Sequence, residues 1–332
     1  MQRRNFMKIM AFSPVLLSAD SKIVKPQGEG IASIIDLDKC DGCVNLAVPA
    51  CVSACKDKNS ARFPKPCEQI PEYFPRKIKE DYSKNRDDIS RLSPYNFTFV
   101  ESVKVDGKSV FVPRRCMHCD DPTCQKICPF GVISKDDKGA VDIDENFCFG
   151  GAKCRDACPW GIPQRQAGVG IYLKIAPKLA GGGAMFKCDM CKDLLALGQK
   201  PACQSKCPKN ALIFDDKSKI LAQVQKAREA GKFIYGDKQN GGTSTYYISS
   251  VDFKDINAAI AEKYGVAESE FNGKTQKVGR PHLNLNVPNF INDDAALVKS
   301  VLFAPVAGLI AGAIAVAKSK KKDENSAKKD KE

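Results

Sequence analysis

The sequence predicts an α+β chain in which short strands and helical turns are organised by repeated metal-binding loops. Three observations carry that expectation. Of the 16 cysteines in 332 residues, all but one fall into four groups built on C-x-x-C spacing or its remnant. Short β-rich segments lie beside these groups, and Ile220 to Lys232, after the last group, has helical periodicity. A chain of this length can bury a core of its own, so the cysteines are not needed to staple a small scaffold.

From the N-terminus, Arg3-Arg4-Asn5-Phe6-Met7-Lys8 precedes an apolar run through Val15-Leu16-Leu17. This is the pattern of a twin-arginine export signal, and the run is too short to span a bilayer. Residues 1–27 are therefore read as a signal region, although Leu17-Ser18-Ala19 has a small residue at only one of the two usual cleavage positions. The first cysteine group follows, in Ile34 to Cys55. Residues 56–113 form a polar insertion that ends in a hairpin signal: Phe97 to Val105 and Lys108 to Val112 flank Asp106-Gly107, which suits a type I′ turn. Gly139 to Asp144, Ala211 to Phe214 and Tyr246 to Val251 read as strands, and Gly231 stands near the end of the expected helix. The stretch from about Glu262 to Pro288 gives no strong signal.

Val301 to Ala317 is an uninterrupted apolar run of 17 residues, extendable by the stems of Lys299 and Lys318. Residues 299–317 are read as a transmembrane helix, and the lysine-rich residues 318–332 as a cytoplasmic tail. The positive-inside rule then puts residues 28–293 on the periplasmic side of the cytoplasmic membrane, in agreement with the export signal. Gly308-x-x-x-Gly312 allows close contact with a partner helix, but such a pattern often arises by chance in a run rich in Ala and Gly.

The cysteine groups carry the chemistry. They are Cys40, Cys43, Cys51 and Cys55; Cys116, Cys119, Cys124 and Cys128; Cys148, Cys154 and Cys158; and Cys188, Cys191, Cys203 and Cys207. Thiolates are soft ligands, and cysteines two residues apart converge on one metal centre more readily than they bridge to distant partners. Proline follows Cys128, Cys158 and Cys207, where it fixes φ and turns the chain away from the centre. With only His118 and His282 present, mixed Cys/His zinc sites explain little of the pattern. In two-cluster ferredoxins the fourth cysteine of each group ligates the other cluster, which locks two groups into one module.

At this point the sequence resembles the polyferredoxin-type iron–sulfur subunits of respiratory oxidoreductases: formate dehydrogenase, dimethyl sulfoxide reductase, nitrite reductase and, closest in layout, the membrane-bound hydrogenase-2 type. The resemblance covers the twin-arginine start, the four groups, Gly241-Gly242-Thr243 with Tyr246 downstream, and the C-terminal apolar run. It implies two ferredoxin-like two-cluster modules in which the first group pairs with the fourth and the second with the third. Carried over by position, Cys40, Cys43, Cys51 and Cys207 hold one [4Fe-4S] cluster, Cys188, Cys191, Cys203 and Cys55 its neighbour, and Cys116, Cys119, Cys124 and Cys158 a third. The function so implied is electron transfer between an extracytoplasmic catalytic subunit and an integral membrane subunit that exchanges electrons with quinone. The apolar run itself has no histidine to ligate haem.

The fourth cluster departs from the family pattern, because Gly151 stands where the second cysteine of the third group belongs. Cys148, Cys154 and Cys128 remain and suit a [3Fe-4S] cluster; the alternatives are a four-iron cluster with water or another side chain at the corner, or an empty site. Cys67 is left over, most simply a free or buried thiol, with substitution at the vacant corner as its functional reading. His118 is expected to make a hydrogen bond near a cluster, and Trp160 to pack in the core.

The net charge of +13 and pI near 9 come with no nucleic-acid motif, and bound clusters would offset part of the charge. An enzyme acting on its own substrate is disfavoured by the lack of a G-x-G-x-x-G, P-loop or catalytic constellation. A disulfide-rich exported structural protein is the other rival.

Overall fold

The computed structural model describes residues 30–72, 79–175, 177, 182–265 and 278–288. Its strands are β1 (Ile31–Asp36), β2 (Phe99–Val105), β3 (Lys108–Arg114), β4 (Ile133–Lys135), β5 (Val141–Ile143), β6 (Gln164–Gln166), β7 (Ala184–Phe186), β8 (Leu212–Asp216), β9 (Phe233–Tyr235) and β10 (Thr245–Ser249). Its α-helices are α1 (Ala50–Asn59), α2 (Thr123–Lys126), α3 (Lys153–Asp156), α4 (Tyr172–Ile175), α5 (Lys192–Ala196), α6 (Ala202–Ser205), α7 (Lys217–Glu229) and α8 (Phe253–Tyr264).

One four-stranded sheet, in the order β8-β1-β10-β9, carries the rest. β1 leads into the first cysteine group and pairs antiparallel with β8, which leaves the fourth; on its other edge it pairs parallel with β10. Side chains alternate across this sheet as a strand's period of two requires. Ala32, Ile34, Tyr246 and Ile248 face Ile220 and Val224 of α7. Ile35, Tyr247, Leu212 and Phe214 point the other way, into the larger core with Phe99, Val112 and Trp160. β4 and β5 form a separate hairpin between the second and third groups. The expected hairpin closes the insertion as β2 and β3, with Asp106 at φ +48° and Gly107 at φ +76°, the left-handed pair that a type I′ turn needs.

α8 answers no sequence expectation. Asp252 caps it, its side chain accepting from Lys254 N at 2.9 Å, and Gly265 at φ +62° ends it. Phe253, Ile256 and Ile260 project from one face into the core.

The fold class needs one correction, and the localisation falls with it. No helix among the described residues is long and apolar enough to cross a membrane. The longest, α7, has 13 residues, roughly 20 Å of rise against the ~30 Å of a hydrocarbon core. The apolar run Val301 to Ala317 and the lysine-rich tail lie outside the described residues, as does the twin-arginine region. The transmembrane helix, and the placement at the cytoplasmic membrane with a periplasmic cluster domain, are accordingly withdrawn.

Candidate metal centres

The four groups fold into one recurring device. In each C-x-x-C loop or its remnant, the residue two after the first cysteine is left-handed: Gly42 at φ +65°, His118 at +48°, Gly150 at +66° and Met190 at +62°. This twist turns backbone N–H groups towards sulfur. Gly150 N donates to Cys148 Sγ and Met190 N to Cys188 Sγ, each at 3.4 Å. The next cysteine then sits on a helical turn. Pro49, Pro122 and Pro201 immediately precede α1, α2 and α6, where a proline's fixed φ and missing donor do no harm, and Cys51, Cys124 and Cys203 are the second helical residue in each. Cys154 takes the same place in α3, which starts after left-handed Ala152.

The last cysteine closes the turn, and the following residue decides what happens next. Cys128-Pro129, Cys158-Pro159 and Cys207-Pro208 stop the helix. Cys55 is followed by Lys56, so α1 runs on to Asn59, whose Nδ2 donates to Cys55 O at 2.8 Å and lies 3.5 Å from its Sγ.

Three cavities of about 330, 340 and 350 Å³ result. Cys40, Cys43, Cys51 and Cys207 line the first; Cys55, Cys188, Cys191 and Cys203 the second; Cys116, Cys119, Cys124 and Cys158 the third. Each draws three cysteines from one group and the fourth from its pair. The sulfurs surround a volume instead of closing on a point: among the described residues, no three Cys, His, Asp or Glu are gathered for a single metal ion. All sixteen cysteines are described and all are free thiols, so none forms a disulfide.

The cavities adjoin in sequence. Cys51 of the first is electrostatically coupled to Cys203 of the second, and Cys188 of the second to Cys116 of the third. Cys154 couples in turn to Cys124 and Cys158, and also to Cys148 and Cys128, which completes a fourth, three-cysteine set beyond the third cavity. Cys148 accepts there from Gly150 N and Met185 N, both at 3.4 Å.

Burial dominates the electrostatics of these thiols. It pushes Cys40, Cys124 and Cys191 up to about 11, and Cys158 and Cys188 to about 12. Cys51, Cys55, Cys119 and Cys154 are also raised, by burial first and neighbouring cysteines second. Such thiols ionise at neutral pH only against a cation, so metal binding must displace their protons. The donor set therefore fits iron–sulfur clusters: soft, buried, sulfur-only and grouped in fours.

Gly151 holds the position of the missing cysteine. It is exposed, its φ is not left-handed, and a Cβ placed on it meets nothing within 4 Å. Gly150 differs sharply, since a Cβ there would lie 2.5 Å from the carbonyl oxygen of Gly183. Cys67 is not in the set; it is exposed, and its Sγ donates to Gln69 O at 3.4 Å. His118 is fully buried, its Nδ1 accepting from Val141 N at 2.9 Å, and burial followed by the charges of Lys187, Arg115 and Lys135 holds it well below the usual imidazole range. Trp160 is 1% exposed and donates to Tyr235 Oη at 2.6 Å and Leu283 O at 2.9 Å, a packing and bonding role in the core.

Sequence reasoning missed the charged residues that hold this arrangement. Arg62 on the insertion binds Asp189 of the fourth group at 2.6 Å and Glu145 before the third at 2.5 Å. Glu80 holds both Arg155 and Arg165 at 2.6 Å. Arg115 lines the second cavity and Lys187 the third. The available signal for the last two was position, since each immediately precedes the first cysteine of a group.

Comparison with known proteins agrees with this geometry. Residues 39–132 and 107–217 each match a 4Fe-4S dicluster domain family. The B subunit of the anaerobic dimethyl sulfoxide reductase of Escherichia coli K12 is 33% identical over 180 residues, covering 54% of this sequence and 70% of the relative. The hydrogenase-2 operon protein HybA of E. coli O157:H7 is 26% identical over 304 residues, 77% of this sequence and 83% of the relative. The iron–sulfur subunit of nitrate-inducible formate dehydrogenase of E. coli K12 is 29% identical over 228 residues, 66% and 67% respectively.

Proposed function

Because this protein belongs to the family of iron–sulfur electron-transfer subunits of respiratory oxidoreductases, we propose that it relays electrons through four clusters in a row, between a catalytic oxidoreductase subunit and a quinone-reactive membrane subunit. The first three centres are [4Fe-4S] clusters, held by Cys40, Cys43, Cys51 and Cys207; by Cys55, Cys188, Cys191 and Cys203; and by Cys116, Cys119, Cys124 and Cys158. The fourth is a [3Fe-4S] cluster on Cys128, Cys148 and Cys154. The observation that supports this most is the succession of three four-cysteine cavities and one three-cysteine set, each with a cysteine next to one of the following set.

When bound, each cluster supplies a one-electron redox couple. The protein's own work is to hold and tune. Paired groups exchange their fourth cysteines, so adjacent centres share a rigid frame. Backbone donors to Cys148, Cys188 and Cys207 stabilise sulfur charge, with Ala211 N at 3.3 Å from Cys207 Sγ. Apolar walls keep water out and favour fast transfer with little reorganisation.

Iron and acid-labile sulfide analysis of the anaerobically purified full-length protein tests the proposal. Cys51→Ser, Cys203→Ser and Cys124→Ser should each lose iron from one centre, whereas Cys67→Ser should lose none. A wild-type protein without sulfide, or an unchanged Cys51→Ser, refutes it.

A further inference from the structure

Two buried cations stand beside the two middle cavities, and neither belongs by sequence to the cavity it lines. Arg115, 2% exposed, immediately precedes Cys116 of the third cavity but borders the second. Lys187, 3% exposed, immediately precedes Cys188 of the second cavity but borders the third. The exchange of fourth cysteines within pairs is thus accompanied by an exchange of cations between pairs.

Among the described residues neither cation has a carboxylate within ion-pair distance. Arg115 donates from Nη1 to Cys116 O at 3.2 Å and from Nη2 to Ser33 Oγ, and its guanidinium lies 4.7 Å over the Phe214 ring. Among the described residues its Nε meets no acceptor. Lys187 Nζ donates to the carbonyls of Val141 and Cys188, the latter at 3.0 Å. Asp142, the acid that acts on Lys187 through space, is engaged with Arg62 at 3.7 Å and Lys192 at 2.5 Å. An interior cation with only neutral acceptors is a costly arrangement. Protonated thiols do not relieve it, but thiolates around a cluster do.

We infer that Arg115 and Lys187 are the counter-ions of the two middle centres, and that each raises the reduction potential of the centre whose cavity it lines. The inference rests on the cluster assignment proposed above. Reduction adds one electron, and so one negative charge, to a centre; a fixed cation beside it favours the reduced form. Burial keeps that attraction from being screened by water or salt. Both residues act by positioning charge and neither ligates iron.

Redox titration of the full-length protein followed by electron paramagnetic resonance, with iron and sulfide measured on the same samples, provides the test. Arg115→Gln and Lys187→Met should keep the wild-type iron content while each lowers one midpoint potential. The expected change is about tenfold or more in the oxidised-to-reduced ratio, or about 59 mV for a one-electron couple. The two variants should move different couples, the double variant both, and the charge-keeping Arg115→Lys and Lys187→Arg should restore them. If Arg115→Gln fails to fold, Ser33→Asp neutralises the guanidinium in place and should lower the same couple. Full iron with unmoved potentials in the neutral variants overturns the inference. So do charge-keeping variants that shift as far as the neutral ones. A wild-type protein without iron overturns instead the cluster assignment beneath it.

Discussion

Gly151→Cys should convert the fourth centre from a three-iron to a four-iron cluster, and the local structure says the change is sterically free. The glycine is exposed, its backbone lies outside the left-handed region, and an added Cβ meets nothing within 4 Å. The fold should therefore change in stability by no more than about 0.5 kcal/mol, as for an ordinary surface substitution. Its neighbour supplies the contrast. Gly150→Ala forces a Cβ to 2.5 Å from the Gly183 carbonyl oxygen at φ +66°, combining overpacking of about 1–3 kcal/mol with a left-handed penalty of about 1 kcal/mol. That variant should lose roughly 2–4 kcal/mol without gaining a ligand. The assay is iron per protein together with electron paramagnetic resonance of the oxidised protein, where a three-iron cluster is paramagnetic and low-potential four-iron clusters are silent. Gly151→Cys should add one iron per protein and remove the oxidised signal. An oxidised wild type that is silent with iron for four complete cubanes, or a folded Gly151→Cys that keeps the signal and gains no iron, refutes the reasoning.

Glu80 ties the insertion to the third group. Burial alone would raise its carboxyl, but the hydrogen bond and charge of Arg155, with those of Arg165, outweigh this and hold it below the ordinary 4.5. A depressed folded value means that the contribution is fully present above about 4.5 and is lost as pH falls through the lower folded value. Thermal melts should show wild type losing its advantage over Glu80→Gln in that acid window, and at neutral pH the variant should be less stable by about 2–4 kcal/mol; parallel curves across the window contradict the assignment. Trp160→Phe removes the donor to Tyr235 and Leu283 and should cost about 1–3 kcal/mol in chemical denaturation with iron content unchanged. Asp252→Ala should cost about 1 kcal/mol by the same measurement, through loss of the α8 cap.

How much of the fold was legible depended on whether local chemistry or distant packing decided each element. The β2–β3 hairpin was readable because Asp106-Gly107 allows few other turns. β5, β8, β10 and α7 were found within a few residues by their apolar periods. α8 had the signs as well, with Asp252 at its start, Gly265 at its end and Phe253, Ile256 and Ile260 on one face. The polar and small residues between them, Lys254, Asp255, Asn257, Ala258 and Ala259, dilute that face and make its period faint in the sequence. The parallel pairing of β1 with β10 could not be read, because Ser33 and Thr245, its partners in register, are 212 positions apart. The anchor expected over Val301 to Ala317 rests on the length of an apolar run and on its flanking lysines, and no helix among the described residues is long and apolar enough to cross a membrane.

The candidate centres divide along the same line. Ligand spacing is a local property, so the four groups could be recognised one by one, and the Gly151 gap stood out against an unbroken register. Charge next to a centre is not local. Arg115 and Lys187 are two among 52 lysines and arginines; their place just before a first cysteine is the one local sign they carry, and it does not tell a buried cation from a solvated one until the groups are brought together. Their placement follows from the topology nonetheless. Arg115 and Lys187, each the residue before the first cysteine of its group, line the cavity of the other pair and not that of their own. The pair formed by groups one and four and the pair formed by groups two and three meet at these residues. Ordinary flanking positions thereby become a reciprocal pair of counter-ions at the junction of the two modules, where an electron must pass from one pair of centres to the other.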